Sequence, residues 1–374
     1  MQTAVYYFPN WHIDPRNEAR HGPGWTEWEL LKCARPRFPG HQQPKVPLWG
    51  YTDEADSSEM ARKIDLASDH GINAFIFDWY WYDGPFLQRA LDEGFLNAPN
   101  RDRLQFALMW ANHDWADRHP SGRNTTECPV LYPWNATKEN VGDVWDIIIE
   151  KYMTLPGYWR VDGLPYFSIY ATNRFIQQMG GVDATAEVLE QLRQKARRAG
   201  LPGVHINGIW FDNLEASPIC VCDQREWAEK IGFTSYTSYN GMPTDFARLN
   251  FPVVDYDDCL GRYLKSARHA METLPAPYYP CITTGWDSSP RTIQSEIYAP
   301  GGYPYRPVME RSPQNFSKAL ERTCALLRDV PEKDRILFIN AWNEWTEGSY
   351  LEPDVKDGFS LLEILKEHLE EQER

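Results

Sequence analysis

Two glutamates stand three residues apart in Asn340-Ala341-Trp342-Asn343-Glu344-Trp345-Thr346-Glu347-Gly348, directly after a short apolar run, ILFINA at 336–341. On a straight strand, side chains three apart face opposite sides, but a turn or 3₁₀ step there brings both towards one point. Two carboxyls flanking one bond are what glycoside cleavage asks for. One gives a proton to the leaving oxygen, and the other attacks, activates an attacker or steadies positive charge. Trp342 and Trp345 add flat apolar surface that lifts a neighbouring carboxyl pKa by desolvation. Glu344 and Glu347 are therefore the catalytic candidates, with Trp342 and Asn343 beside them as substrate contacts. The plainer alternative is that both glutamates cap the following turn or pair with surface cations. A carboxyl separation of about 5–5.5 Å suits retention and roughly 6.5–9.5 Å inversion.

Other candidates also follow apolar runs. INAFIF at 72–77 continues as Asp78-Trp79-Tyr80-Trp81-Tyr82-Asp83-Gly84. Sugar rings bury their C–H faces on such aromatic platforms, which makes Tyr80 and Trp81 candidates and Asp78 a reserve carboxylate. The alternative is a ring cluster closing the top of the fold. LQFALMW at 104–110 ends in Trp110 and leads to Asn112 and His113, an amide and an imidazole suited to hydroxyls, although a histidine among aromatics is commonly structural. AVYYF at 4–8 supplies Tyr7, with Asn10, Trp11 and His12 behind it, and Gly24-Trp25-Thr26-Glu27-Trp28 adds Trp25 and Glu27. Tyr170, Tyr236, Trp286 and Asp287 lie at or after the ends of three further runs, and Tyr236 and Trp286 join the binding set. Asp255-Tyr256-Asp257-Asp258 reads as a metal site of a nucleotide-sugar transferase or, more plainly, as a solvated acidic cluster.

Eight apolar runs (4–8, 72–77, 104–110, 165–170, 204–210, 233–238, 278–284 and 336–341) lack clean polar alternation, as strands covered on both faces do. Helical pattern lies between most of them. Met60, Ile64 and Ala67 share a face closed by His70-Gly71, and Val144, Trp145, Ile148 and Ile149 form a second stripe. Segments 185–199, 312–327 and 359–369 read as helices, and 224–230 and 260–274 as weaker ones. This alternation predicts an α/β (β/α)8 TIM-type barrel, one domain over residues 1–374, with long loops after strands 1, 3 and 6 at 9–56, 111–163 and 239–277. A doubly wound sheet would carry a glycine-rich phosphate loop after the first strand, where Pro9-Asn10-Trp11-His12 stands instead. Extra length after barrel strands builds the wall of a cleft.

The 374 residues carry 38 Lys and Arg against 53 Asp and Glu, a net charge of −15, so nucleic acid is not an expected partner. No stretch approaches the roughly 20 apolar residues that span a bilayer, and no membrane is expected. Seven scattered cysteines without CxxC spacing fit reduced thiols. MQTAVYYFPNW shows neither a basic n-region nor a long apolar h-region, so a cytoplasmic location is expected, or a secreted or periplasmic one if a leader has been removed. Neither HExxH nor an HxH after the first strand supplies metal ligands, so no metal is expected, and GxSxG and the P-loop are missing, which removes the commonest serine hydrolase and nucleotide signatures.

YYFPNWH, GWTEWELLKCARPRFPGHQQPKVPL, GINAFIFDWYWYDG, LMWANHDW and INAWNEWTEGSYLEPD together resemble glycoside hydrolase family 99, the endo-α-mannosidases, and more closely their WbsX-like relatives. The resemblance spans nearly the whole chain, in pattern more than in words over 116–334. It implies a (β/α)8 barrel without cofactor, acting on an α-linked oligosaccharide or polysaccharide. By that likeness Glu347 is the acid/base on the leaving oxygen. Glu344 deprotonates the substrate's 2-hydroxyl, which attacks its own anomeric carbon with net retention. Thr346 stands where the mannosidases usually carry histidine, so the reaction class carries over while the sugar, manno-configured, rhamnose or another 6-deoxy residue, stays open. Oligomeric state is not legible. Two other functions compete: a glycosyltransferase of polysaccharide biosynthesis, which needs a nucleotide-sugar site, and a non-catalytic glycan-binding barrel.

Overall fold

Apolar runs shielded on both faces become one parallel sheet. The computed structural model describes residues 1–125, 127–210 and 228–372. In it β1 (Gln2–Tyr7), β2 (Ala74–Trp81), β3 (Gln105–Trp110), β4 (Leu164–Ile169), β5 (His205–Ile209) and β6 (Ser235–Thr237) pair in succession. The seventh run is split by Pro280, which lacks the N–H that a ladder needs. It forms β7 (Tyr278–Tyr279), paired with β6, and β8 (Cys281–Thr283), paired with β9 (Ile336–Asn340). Strand β9 returns to β1, so the ring closes through a single intervening residue. Eight apolar runs thus make the expected barrel.

Side-chain alternation gives the barrel an inside and an outside. Within it Phe338 packs against Tyr6, Tyr166 and Tyr279 at centroid distances of 5.5, 5.9 and 6.2 Å. Ring pairs of this kind add about 0.5–1.5 kcal/mol each beyond the area they bury. Residues of the other parity face the helices.

The predicted stripes become helices, and the chain adds others, at 15–21, 28–33 and 172–179, that the pattern did not mark. In the loop after β1 lie α1 (Pro15–His21) and α2 (Trp28–Cys33), followed by α3 (Ser57–Asp69), whose cap Asp56 accepts from Ser58 N and which buries Met60, Ile64 and Ala67. Between β2 and β3 a π-helical turn, Ala90–Phe95, replaces an α-helix. A Cβ on its Gly94 would lie 2.1 Å from the Glu54 carbonyl oxygen, so no larger residue fits there. Then come α4 (Val141–Ile148), α5 (Thr172–Met179), α6 (Val182–Arg198), α7 (Tyr256–Thr273), α8 (Pro313–Leu327) and α9 (Ser360–Gln372). Trp110 packs outward on Trp145 of α4 and Phe175 of α5 at 5.5 and 6.2 Å.

Helix α7 starts earlier than 260 because Asp255 caps it, accepting from Asp258 N at 2.8 Å. The weak helix expected at 224–230 lies mostly outside the described residues. The long segments after β1, β3 and β6 are present, and residues 284–312 after β8 form a fourth that composition did not single out. Cys33, Cys128, Cys259, Cys281 and Cys324 are free thiols, and Cys220 and Cys222 lie outside the described residues. Among the described residues no helix is long and apolar enough to cross a membrane.

Candidate active site

The chain leaves β9 at Asn340 and makes the 3₁₀ turn Trp345–Glu347, closed by Gly348 at φ +68°. This step rotates the backbone between Glu344 and Glu347 and brings both into one cavity of about 720 Å³ at the strand ends. Neighbours pin the turn on both sides. The Asn343 amide accepts from Phe8 N (2.8 Å) and donates to Phe8 O (2.9 Å), tying the turn to the end of β1. Trp345 donates from its indole to Glu352 (2.8 Å) and stacks on Tyr350 at 3.8 Å.

One guanidinium organises the cavity floor. Arg291 lies in the 3₁₀ turn Ser289–Arg291 of the 284–312 segment, and Ser289 N donates to Asp287 Oδ1 (3.0 Å). Asp287 is fixed in turn by Gln43 Nε2 at 2.6 Å and His41 Nε2 at 2.9 Å. Arg291 Nη2 donates to Glu344 Oε1 (2.8 Å), Nη1 to Glu347 Oε1, and Nε to Glu27 Oε1 and Thr346 Oγ1 (3.0 Å each). Tyr303 accepts from Nη1 and donates to Glu347 Oε1, both at 2.6 Å. Glu347 is thereby anchored by one oxygen, while Oε2 has no hydrogen-bond partner among the described residues. Glu344 is held by both, since Oε2 also lies 3.2 Å from the Tyr239 hydroxyl.

That hydroxyl is also 2.9 Å from Asp78 Oδ2. A phenol has one proton, so it cannot donate fully to two ionised carboxylates at once. Full satisfaction requires a proton on Asp78 or Glu344, donated back to the phenol oxygen. The electrostatics agree. Burial raises Asp78 well above the usual carboxylate range, and raises Glu344 likewise, with the Glu347 charge adding and Arg291 opposing. Glu347 is raised by burial but restrained by Arg291 and the Tyr303 hydrogen bond. Three carboxyls, Glu27, Glu344 and Glu347, thus crowd one floor cation, and Asp78 joins them through Tyr239.

Of the residues singled out from sequence, Glu27, Asp78, Tyr80, His113, Tyr170, Trp286, Glu344 and Glu347 line this cavity. His113 bonds through Nδ1 to Asp114 O (2.9 Å), and burial lowers its pKa. The others stand elsewhere. Tyr7 faces outward from β1, donating to Glu54 at 2.8 Å and accepting from Lys63 at 3.2 Å. Trp11 is sealed against Trp28 at 4.1 Å, and Trp25 stacks on His21. Trp81 and Trp110 have the outward parity of their strands and border α4 in a separate small hollow. Asn112 clamps Ala171 through its backbone N and O, and Tyr236 donates to Ala228 O at 2.9 Å. Trp342 is buried against Phe75, and Asn343 is the strap described above. None of these nine is among the residues that line the cavity.

Arg291, Tyr239 and Tyr303 escaped the sequence reading because each sits mid-loop with no spacing to the other members. The acidic cluster at 255–258 is not a metal site: Asp255 caps α7, Asp257 pairs with Lys318 at 2.6 Å, and Asp258 with Arg262 at 2.9 Å. Among the described residues no group of three or more His, Cys, Asp or Glu side chains is arranged to hold a metal ion. On the floor, the place a cation would take is filled by Arg291.

The fold so built is a parallel β/α barrel, and solved structures share it. The fold resembles the GH99 endo-α-mannosidase of Bacteroides thetaiotaomicron with a TM-score of 0.60 and 13% identity, covering 100% of this chain and 99% of that one. It also resembles a glycoside hydrolase-like protein with a TM-score of 0.63 and 16% identity, over 98% and 93%. By sequence the chain belongs to the family described as glycosyltransferase WbsX, which it matches over residues 3–365. WxcX of Xanthomonas campestris pv. campestris (strain B100) is 28% identical over 377 residues, 98% of this chain and 49% of WxcX. The chain therefore spans about half the length of the curated relatives it matches.

Proposed function

We propose that this protein hydrolyses an α-linked glycan, manno-configured or related, such as a rhamnose-containing one, with Glu344 and Glu347 as the working pair. The observation that carries this reading is the convergence of both carboxyls on the Arg291 guanidinium inside one strand-end cavity. Glu347, anchored by Oε1 and open at Oε2, gives its proton to the leaving oxygen as the glycosidic bond breaks. Glu344 takes the proton of the 2-hydroxyl while that oxygen closes on the anomeric carbon. Water then opens this intermediate at the anomeric carbon, its proton passing to Glu347, and Glu344 returns a proton to the 2-oxygen. Two inversions give retention. A carboxyl raised by burial suits Glu344, since a general base acts best with its pKa near the working pH.

Incubation with a panel of α-linked manno- and rhamno-configured oligosaccharides, followed by product analysis, tests this. Cleavage of at least one member is expected. Glu347→Gln should lower turnover by on the order of 10²–10⁴ without lowering the melting temperature, since the amide still accepts from Arg291 and Tyr303. Full turnover in that variant, or no cleavage anywhere in the panel, refutes the proposal. The family description favours a second reading, transfer from a nucleotide sugar, and tight binding of a nucleoside diphosphate sugar would support it instead.

A further inference from the structure

The charges of the cavity are sorted by position. Its floor holds Asp78 and the three carboxyls around Arg291, whereas its wall carries Arg118, Arg174 and Arg306 against Asp114 alone. In a chain of net charge −15 such a wall is not background. Asp114 is already committed to Arg174 at 2.6 Å, and Asp117, beside Arg118 in sequence, is bound by Arg20. Among the described residues no carboxylate forms an ion pair with Arg118 or Arg306. Arg306 is half-buried, and among the described residues its guanidinium makes one hydrogen bond, from Nη1 to Gly301 O at 2.8 Å. His119 stands edge-on to the Tyr303 ring at 6.1 Å, and its Nδ1 is buried without a hydrogen-bond partner among the described residues. Burial together with Arg291 and Arg118 drives its pKa well down, so the ring is neutral and senses a positive surrounding.

A half-buried guanidinium without a counter-charge is unfavourable until an anion arrives, and its planar fork matches a carboxylate in shape. We infer that Arg306, Arg118 and His119 form a subsite for an anionic substituent of the glycan, a carboxylate of the uronic acid type, on a sugar adjoining the one held by Glu344 and Glu347. This inference rests on the hydrolase reading above and names its substrate class. Trp115 and Trp286 line the same cavity and offer rings for the sugar faces. A nucleoside diphosphate is the other source of such charge. The acidic cluster that could carry its metal is spent on capping and on pairing with Lys318 and Arg262.

Calorimetric titration of the Glu347→Gln protein separates the cases. The probes are a neutral α-linked oligosaccharide, its counterpart with one uronic acid residue, and a nucleoside diphosphate sugar. The acidic oligosaccharide should bind at least about tenfold more tightly than the neutral one, the scale of a charge-assisted hydrogen bond. Arg306→Gln should erase that advantage and leave neutral binding unchanged, and added salt should weaken acidic binding alone. Arg118→Gln, at an exposed position, serves as a second variant should Arg306→Gln fail to fold. Equal affinity for acidic and neutral probes, a parallel loss of both in the arginine variants, or preference for the nucleoside diphosphate sugar overturns the inference. Arginine-dependent binding of the acidic oligosaccharide, with no member of the glycan panel cleaved by the wild type, removes the hydrolase reading and leaves the subsite standing. Cleavage of neutral glycans with no acidic preference does the reverse.

Discussion

Asp78 places an almost fully buried carboxyl on the cavity floor, with Oδ2 on Tyr239 and Oδ1 without a hydrogen-bond partner among the described residues. Burial raises its pKa well above the usual range, so the folded protein keeps a proton that the unfolded chain releases near pH 4. A carboxyl raised on folding contributes stability that is fully present below its unfolded pKa and lost as pH climbs through its folded one. Asp78→Asn removes this ionisation while keeping an oxygen for Tyr239. The variant should therefore melt higher than wild type at pH 8, by on the order of 1 kcal/mol, with little difference at pH 4. It should also lose activity, because the proton shared across Tyr239 no longer couples to Glu344. Paired thermal melts at the two pH values check the sign; an advantage that shrinks with rising pH contradicts it.

At the scale of elements, one turn decides whether two glutamates make a site. Gly348 closes the 3₁₀ step at φ +68°, and a Cβ there would stand 2.8 Å from Asp287 Cβ and 2.9 Å from Asp287 N. Gly348→Ala must bear left-handed strain and push back the segment that carries Arg291, a cost of about 1–3 kcal/mol. A lowered melting temperature with turnover reduced more than binding is the expected pair of results; wild-type values for both would show the turn to be tolerant. The sequence already displayed the need for such a step, since NEWTE sits where a strand must end. It displayed the barrel equally well, because buried strands and capped helices write periodicity into neighbouring residues. What it concealed follows from period two. Asp78 and Tyr80 face inward on β2, which turns Trp81 outward, just as Tyr6 inside the barrel leaves Tyr7 outside. Aromatic runs at strand ends therefore promise twice the platform they provide. Arg291 and Tyr303 were concealed differently: their partners lie 53 and 44 residues away, and no local pattern encodes that convergence.

For the whole molecule, the barrel is unevenly sewn. Strands β2 and β3 run in register from Ala74 beside Gln105 to Trp79 beside Trp110. The opposite side holds only Tyr236 beside Tyr278 and Thr237 beside Tyr279, then Pro280, then Cys281 to Thr283 against β9. Side chains reinforce this seam, with Ser349 Oγ donating to Asn340 O (2.6 Å) and lying 2.8 Å from Thr283 Oγ1. The 284–312 segment hangs from this thin side and brings Arg291, Tyr303 and Arg306 to the cavity, so closure of the cylinder and assembly of the site share one stretch of chain. Local opening follows the weakest pairing. Native-state hydrogen exchange should find the amides of Tyr279 and Ile282 exchanging faster than those of Phe77 and Leu108. A glycan bound across the cavity joins the loops after β2, β8 and β9, so it should slow the seam more than the β2–β3 side. Uniform protection around the ring, or a ligand effect confined to β2 and β3, would separate closure from the site.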